Sequence, residues 1–430
     1  MSLFNKFVSS YAVILVISLL SFASAHADDL VYIKAGAIVD VQTGKLQRDR
    51  IITIRGNRIE SVVDAGDITI EPGANLIDLG DAYVIPGLID LHDHLTGDHR
   101  YHGYEGLQFS VARETLFGVT NSRKTLNAGF TTVRNVGASG FSDVALRDAI
   151  DAGEIDGPRL RVSGPAIGIT GGHCDNNLLP AEYDVRAEGI ADGPWAVRAK
   201  VRENIKYGVD LIKFCATGGV LSKGTSVGNQ QFTFEEMQAL VDEAHMHGRK
   251  VAAHAHGAAG IKTAIKAGVD SIEHASLIDD EGIELAKQHG TYLVMDIYND
   301  TYILEYGASV GMLPESLEKE RVVGQLQRDN FKKAFKAGVK MAFGSDGAVY
   351  PHGDNGKQFF YMVEYGMTPM QALQAATIRA ADLIGWPKDV GAIAGGFYAD
   401  IIAVDKNPLD DITVMENVSF VMKDGRVFKQ

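Results

Sequence analysis

The residues of this chain that could do chemistry are histidines paired at a spacing of two, and single ionisable residues that end apolar runs. On a β-strand, residues i and i+2 project to the same side about 7 Å apart, so both imidazoles of a pair can reach one ion. Imidazole and carboxylate ligands suit zinc, with manganese, iron and cobalt as other occupants. The pattern predicts a metal site built from His92, His94, Lys213, His254, His256, His274 and Asp346.

The same spacing occurs at His245 and His247, which provide an internal comparison. Thr233 and Glu236 have the spacing of a capping box, so a predicted helix begins near Thr233 and carries both histidines. Positions i and i+2 diverge on a helix, and we interpret this pair as surface residues. His289 falls in the last turn of another predicted helix, where an imidazolium interacts favourably with the helix dipole.

Lys213 lies in the middle of the apolar run "VDLIKFCATGGV", residues 209–220, where an ammonium group is expensive to bury. Burial lowers the pKa of a lysine, and its neutral amine can capture carbon dioxide as a carbamate. A carbamate (N6-carboxylysine) is anionic and has two oxygens, so it can bridge two metal ions. The alternative is a lysine paired with a neighbouring acid.

The elements that must position these residues follow a repeated pattern, a helical stretch ending in glycine and then a short apolar run. The glycine ends each helix in the left-handed conformation. The runs are "YVIPGLIDLHDH", "LNAGFTTV", "DAGEIDGPRLRV", "KYGVDLIKF", "MHGRKVAAH", "KAGVDSIEH", "QHGTYLVM" and "KAGVKMAF". Apolar strands alternating with helices predict an α/β fold, a closed (β/α)8 TIM-like barrel with the site at its C-terminal strand ends.

The two ends of the chain differ from this pattern. The segments before residue 84, such as "RIITIRGNRIESVVD", have hairpin spacing, and "VSFVMKDGRVFKQ" near the C-terminus is similar. We predict that residues 28–83 and 386–430 form one small discontinuous β-sandwich domain beside the barrel, which spans 84–385 and carries the metal site.

Composition limits the classes of protein. The 430 residues are 46% hydrophobic and carry a net charge of −14, which excludes a disordered chain and disfavours binding to nucleic acid or anionic lipid. Residues 1–27 have the pattern of a signal peptide, with Lys6 before "YAVILVISLLSF" and cleavage after Ala27. We therefore expect a periplasmic or secreted protein without stable membrane association.

Two cysteines, Cys174 and Cys215, are too few for a disulfide framework. Export would permit a single bridge between them. Because both fall in stretches assigned to the barrel, we expect buried free thiols instead.

The motifs "PGLIDLHDH", "LIKFCATGGV", "VAAHAHG", "SIEHA", "FGSDG" and "GAIAGGFYADIIAVDKNPLDDI" resemble the amidohydrolase superfamily, which includes imidazolonepropionase-related enzymes. The residues of these motifs are similar to those of the secreted metallo-dipeptidase and carboxypeptidase branch of the superfamily. That branch contains Xaa-Pro and Xaa-Arg/Lys dipeptidases and ochratoxin-hydrolysing amidases. The resemblance implies homo-oligomers, octamers among them. It also implies two zinc ions, held by His92, His94, carboxylated Lys213, His254, His274 and Asp346.

The same resemblance assigns two further histidines to the catalytic region. The resemblance implies that His256 lies next to the substrate. It also implies that His173 in "GITGGHCDN", at the end of strand three, contacts a substrate carbonyl or carboxylate. Many relatives have glycine where this chain has Cys174. Tyr298 and Tyr302 follow strand seven, where they either contact an aromatic or extended substrate or pack in the interior.

These residues predict hydrolysis of a small amide or dipeptide. Hydroxide attacks the carbonyl, Asp346 transfers the proton to the leaving amine, and His173 stabilises the oxyanion. A cyclic-amide hydrolase or heterocycle deaminase is the alternative, although Lys213 weighs against mononuclear deaminases. "GTSVG" around Ser226 matches a serine-hydrolase motif but is predicted to lie in a loop. A non-catalytic binding protein would lack ligands that are present here.

Overall fold

The computed structural model describes residues 30–430. The predicted signal peptide, residues 1–27, lies outside this range. Between residues 30 and 430, no helix combines the length and the apolar character that crossing a bilayer requires.

Strands and helices alternate through most of the chain. The strands are β1 (Leu30–Lys34), β2 (Ala37–Asp40), β3 (Lys45–Gln47), β4 (Arg50–Arg55), β5 (Arg58–Asp64), β6 (Asn75–Asp78), β7 (Tyr83–Pro86), β8 (Leu88–Asp93), β9 (Phe130–Asn135), β10 (Arg159–Val162), β11 (Leu211–Cys215), β12 (Lys250–Gly257), β13 (Ser271–Leu277), β14 (Tyr292–Val294), β15 (Met341–Ala342), β16 (Ile401–Val404), β17 (Phe420–Lys423) and β18 (Arg426–Lys429). The helices are α1 (Val111–Asn127), α2 (Ser142–Asp151), α3 (Pro194–Lys206), α4 (Phe234–Met246), α5 (Ala258–Ala267), α6 (Asp280–His289), α7 (Asn299–Tyr306), α8 (Pro314–Ala337), α9 (Gln358–Glu364), α10 (Pro369–Ala375) and α11 (Ile378–Ile384).

The central strands are parallel and lie in two sheets, ordered β10-β9-β8 and β11-β12-β13-β14-β15. Two parallel bridges connect these sheets. Ile167, after β10, pairs with Phe214 of β11, and Asp93, at the end of β8, pairs with Gly347, after β15. The strands are almost wholly buried, because helices cover their outer face. The predicted α/β alternation is therefore present, with the carboxyl ends of the strands at one edge.

The first predicted strand, "YVIPGLIDLHDH", is two strands that separate at Gly87. The N–H of Gly87 donates to Asp400 O, which draws β7 toward β16, while β8 joins the central strands. A Cβ atom at position 87 would clash with Thr131 Oγ1, so the chain passes this point only as glycine. The prediction of one continuous strand was wrong because apolar periodicity does not reveal which sheet accepts each half.

Two further sheets contain the ends of the described chain. The four-stranded sheet has the order β5-β4-β1-β6, and the six-stranded sheet has the order β18-β17-β16-β7-β2-β3. Side chains from both sheets share one hydrophobic cluster, including Ile33, Ile52, Val84, Ile401 and Phe420. N-terminal and C-terminal segments therefore pair within one sheet and bury one common apolar surface.

Cys174 and Cys215 are bonded to each other, with their Cα atoms 6.0 Å apart. The expectation of free thiols was wrong. The chain after β10 continues parallel to β11, where the N–H of Ile167 donates to Lys213 O and the N–H of Cys215 donates to Ile167 O. The connection that follows places Cys174 against the end of β11. The pairing depends on a long connection whose path no local sequence pattern specifies.

We predict that removing this disulfide lowers thermal stability. The two cysteines are 41 positions apart. Closing a loop of that length restricts the unfolded chain by about 4 kcal/mol. For a domain of several hundred residues this corresponds to a fall in Tm of about 5 °C. Calorimetry of Cys174→Ala/Cys215→Ala against the unchanged protein measures the effect. Reductant should lower the Tm of the unchanged protein and should not change the Tm of the variant. If the unfolded protein, without reductant, reacted with a thiol reagent, that result would contradict the disulfide.

Candidate metal centre and active site

A cavity of about 350 Å³ opens at the carboxyl ends of the central strands. It brings together the predicted ligands and both predicted substrate histidines. The members that line it are His92, His94, His173, Lys213, His254, His256, His274 and Asp346. The sequence prediction that these residues converge therefore agrees with their placement.

Two overlapping groups of side chains can each hold a metal ion. One consists of His254, His256 and His274, the other of His92, His274 and Asp346, and within each group the ligand atoms lie within 4.8 Å of one another. Asp346 Oδ1 also lies 3.3 Å from the Nε2 atom of His94. Because His274 belongs to both groups, the two candidate positions adjoin.

The strands carry most of these residues where the sequence predicts. His92 lies in β8 with His94 just beyond it, Lys213 lies in β11, and the remaining ligand histidines lie in β12 and β13. Asp346 follows β15 after a short extended segment, where the N–H of Asp346 donates to His92 O. This hydrogen bond holds the aspartate beside the strand that carries the first histidine pair.

His173 is not at the end of a strand. It lies in the long connection after β10, which the disulfide at Cys174 fastens to β11. Its N–H donates to Gln231 Oε1 at 3.0 Å, and its Nδ1 lies 2.8 Å from Ser222 Oγ. The ring stacks on that of His254 with centroids 4.1 Å apart. Loop contacts, which sequence periodicity cannot predict, therefore place this histidine.

Two of the predicted ligand histidines, His92 and His274, have acidic partners on their Nδ1 atoms. Nδ1 of His92 lies 3.1 Å from Glu273 Oε2, and Nδ1 of His274 lies 2.8 Å from Asp296 Oδ1. Such contacts fix the ring orientation and leave Nε2 for a metal. Sequence reasoning missed both acids. The φ of 69° at His274 interrupts strand alternation, so Glu273 and His274 both serve the site.

Glu273 itself is held by a buried ion pair that sequence reasoning also missed. Arg134 Nη2 donates to Glu273 Oε1 at 2.8 Å, and Ser271 Oγ donates to the same oxygen at 2.6 Å. Arg134 Nε also donates to Leu91 O at 2.5 Å. A buried charge is costly unless it is paired and hydrogen-bonded, and each donor here reduces that cost for Glu273.

Electrostatics favour the protonation states that a metal requires at three of the predicted ligands. Burial, reinforced by the positive charge of Lys213, holds the pKa of His92 well below its ordinary value, and burial acts in the same way on His254. At His274 burial is outweighed by Asp296, which raises the pKa. Burial opposes ionisation of Asp346, but the hydrogen bond from His94 lowers its pKa. The directions at His92, His254 and Asp346 favour ligand forms, a neutral imidazole or an ionised carboxylate, whereas the raised pKa of His274 favours an imidazolium that must lose its proton to bind a metal.

Lys213 has the environment of a reactive lysine. Its side chain is 3% exposed, and burial lowers its pKa to about 8 although Glu273 and Asp346 act in the opposite direction. Among residues 30–430 no hydrogen bond or ion pair to its ammonium group is found. The carbamate and the lysine stabilised by neighbouring acids therefore both stay predictions, since Glu273 and Asp346 act on the ammonium group from within the site.

Several other residues named in the sequence analysis lie outside the cavity. Tyr298 and Tyr302 do not line the cavity. They pack with Tyr350 in a hydrophobic cluster, which agrees with the packing interpretation rather than with substrate contact. His245 is exposed and contacts Asp270. Ser226 is exposed in a loop with no strand immediately before it, and the serine-hydrolase motif lacks its required setting.

Comparison with known proteins identifies the family. The amidohydrolase family pattern matches residues 83–428. Ochratoxinase from Aspergillus niger is 36% identical over 369 residues, which is 80% of this chain and 75% of that protein. A crystal structure of an Xaa-Pro dipeptidase with bound methionine superposes with a TM-score of 0.87 at 40% identity and covers 93% of this chain and 100% of that chain.

A prolidase complexed with N-methylphosphonate-L-proline superposes with a TM-score of 0.85 at 32% identity and covers 93% of this chain and 100% of that chain. The A. niger ochratoxinase structure gives a TM-score of 0.81 at 32% identity, over 93% of this chain and 96% of that chain. Since the family match includes the cavity and every strand that lines it, this chain belongs to the amidohydrolase family and is a hydrolase that acts on C–N bonds.

Proposed function

We propose that this chain is an exported hydrolase with two metal ions that cleaves the amide or peptide bond of small N-acyl amino acids or dipeptides, ochratoxin-type amides included. The observation that carries the proposal is the pair of ligand groups that share His274 at one cavity. The names of the relatives, an ochratoxinase, an Xaa-Pro dipeptidase and a prolidase, support this substrate class.

The residues fit a metal centre. Nε2 of His254 is buried and has no hydrogen-bond partner within the described part of the chain, as expected of an atom reserved for a metal. The proposed ligands of two zinc ions are His92, His94, Lys213 as a carbamate, His254, His274 and Asp346. Bound metal ions would lower the pKa of a water molecule and polarise the amide carbonyl.

The chain's own residues supply the remaining steps. Asp346 Oδ1 can take a proton from the attacking water and return it to the leaving amine, a role typically worth 10²–10⁴-fold in rate. Ser222 occupies Nδ1 of His173 and Ser276 lies 2.8 Å from Nδ1 of His256. The Nε2 atoms of both histidines are thereby available to hydrogen-bond the carbonyl oxygen as its charge develops.

The architecture and cellular setting complete the proposal. The bridges at both sides of the central sheets support a closed (β/α)8 barrel over 84–385. The shared hydrophobic cluster supports a β-sandwich domain formed by 28–83 and 386–430. Export to the periplasm or medium rests on the pattern of residues 1–27, and a homo-oligomer, including an octamer, rests on the family resemblance.

We predict that Asp346→Asn lowers turnover by about 10²–10⁴-fold, because the amide cannot act as the base. The measurement is mass-spectrometric detection of amino acid released from a panel of dipeptides and N-acyl amino acids by zinc-loaded protein. Asp242→Asn on the exposed face of α4 is the matched control and should retain activity. Release by the unchanged protein that Asp346→Asn leaves undiminished would contradict the role of Asp346.

We predict that Lys213→Ala and His254→Ala each lower the metal content, since each removes a ligand. Elemental analysis of dialysed protein should find two zinc ions in the unchanged chain and fewer in both variants. His245→Ala is the control, because that histidine lies on a helix surface and contacts Asp270. Full metal content and full activity in Lys213→Ala would rule out the bridging carbamate. Native mass spectrometry of the unchanged protein can detect the carbamate directly as the added mass of captured CO2, about 44 Da.

A further inference from the structure

A second compartment adjoins the metal cavity, and the proposed chemistry does not use it. Its volume is about 550 Å³. It shares part of its wall with the metal cavity, including His94, Tyr101, Gly137 and Cys174. Because His94 is a predicted ligand, the compartment begins beside the metal centre, and a substrate held there can extend into it.

Three aromatic side chains form one wall of this compartment. Tyr101, Phe109 and Phe117 all line it. The ring centroid of Phe109 lies 4.7 Å from that of Tyr101 and 5.1 Å from that of Phe117, edge to face in both pairs. None of the three belongs to the hydrophobic clusters found among residues 30–430, and Tyr101 and Phe109 are only half-buried. The rings are therefore a separate aromatic wall with surface left to contact a ligand.

The remaining walls leave room and lead to solvent. Small residues supply part of the lining, among them Gly106, Ala138 and Ala166. Side chains of this size do not fill the space next to the aromatic wall. Two exposed charged residues, Arg186 and Glu188, also line the compartment. The compartment thus extends from the metal centre to the protein surface.

The two halves of an amide substrate would meet different surroundings. The metal cavity is bounded by α8 through Glu320, Val323 and Gln327. No described residue of α8 lines the second compartment, which is the larger of the two spaces. The amino acid that is released has a fixed backbone, whereas the acyl group of an N-acyl amino acid varies in size. The larger space, which reaches solvent, therefore suits the acyl group.

We propose that the second compartment binds the acyl group of the substrate and selects aromatic acyl groups, with Tyr101 and Phe109 as specificity-determining residues. This inference rests on the proposed amide hydrolysis and adds to it which half of the substrate lies beside His94. Aromatic rings attract one another in edge-to-face and offset arrangements beyond the area that they bury. The expected preference for an aromatic ring over a saturated ring of the same size is about two- to tenfold.

The first test compares acyl groups that differ only in aromaticity. The N-phenylacetyl and N-cyclohexylacetyl derivatives of one amino acid, chosen from the substrate panel above, are hydrolysed by the zinc-loaded enzyme. The CH2 group between ring and carbonyl keeps the two amides similarly reactive, so the ratio of their kcat/KM values measures recognition of the ring. Phe109→Leu should bring this ratio close to one, whereas Phe109→Tyr should keep it. Phe360→Leu, on the exposed face of α9, is the matched control and should also keep it.

A variant that fills the compartment tests its position relative to the acyl group. Ala138 lines the second compartment and not the metal cavity. Ala138→Leu should lower kcat/KM for the N-phenylacetyl derivative by about tenfold, and that for the N-acetyl derivative much less. Ala138→Ser adds little volume and is the control. An equal loss for both derivatives in Ala138→Leu would count against an acyl group in this compartment.

The second test measures binding without turnover. Calorimetry compares phenylacetate with cyclohexylacetate in the zinc-loaded protein and in zinc-loaded Phe109→Leu. An aromatic preference that Phe109→Leu removes in either test supports the inference, and the same ratio in both proteins in both tests overturns it.

The assignment of the acyl half is tested with N-acetyl-phenylalanine and N-acetyl-cyclohexylalanine. If Phe109→Leu changed the ratio for this pair and not for the acyl pair, the compartment would bind the amino acid half and the inference would be overturned. Phe109-dependent binding of phenylacetate without hydrolysis of any amide would instead overturn the proposed function and leave the aromatic site in place.

Discussion

The cost of burying ionisable side chains together governs the arrangement around the predicted metal ligands. Each buried imidazole needs a defined partner on one ring nitrogen if the other is to face the cavity. Glu273 serves His92 and is in turn held by Arg134, while Asp296 serves His274. The predicted ligands are therefore the inner layer of a larger hydrogen-bonded network that includes the surrounding acids and arginine.

The same constraint explains where the backbone departs from regular strands. His274 and Asp346 both adopt the left-handed region, with φ of 69° and 56°, which costs free energy for residues other than glycine. At His274 this lets consecutive residues serve the site, and at Asp346 it accompanies the hydrogen bond to His92 O. These departures occur at two of the residues assigned as ligands, where surrounding contacts over-determine the conformation.

Long connections complete the cavity. The connection after β10 carries His173 and is fastened to β11 by the disulfide between Cys174 and Cys215. On the other side, α8 presents Gln327 to the ligand network and Glu320 to the remaining space. The strands thus carry most of the predicted ligands, and the connections complete the walls of the cavity.

The sequence by itself determined the alternation of strands and helices and the set of residues at the strand ends, because apolar periodicity and residue spacing are local properties. It correctly separated the pair His92 and His94, in and just beyond a strand, from His245, on a helix. Only the tertiary structure decided the division at Gly87, the disulfide, the placement of His173 and the packing of Tyr298 and Tyr302. Glu273, Asp296 and Glu320 also emerged only there. Each of these depends on contacts between segments far apart in the chain, and no local pattern records which distant atoms will meet.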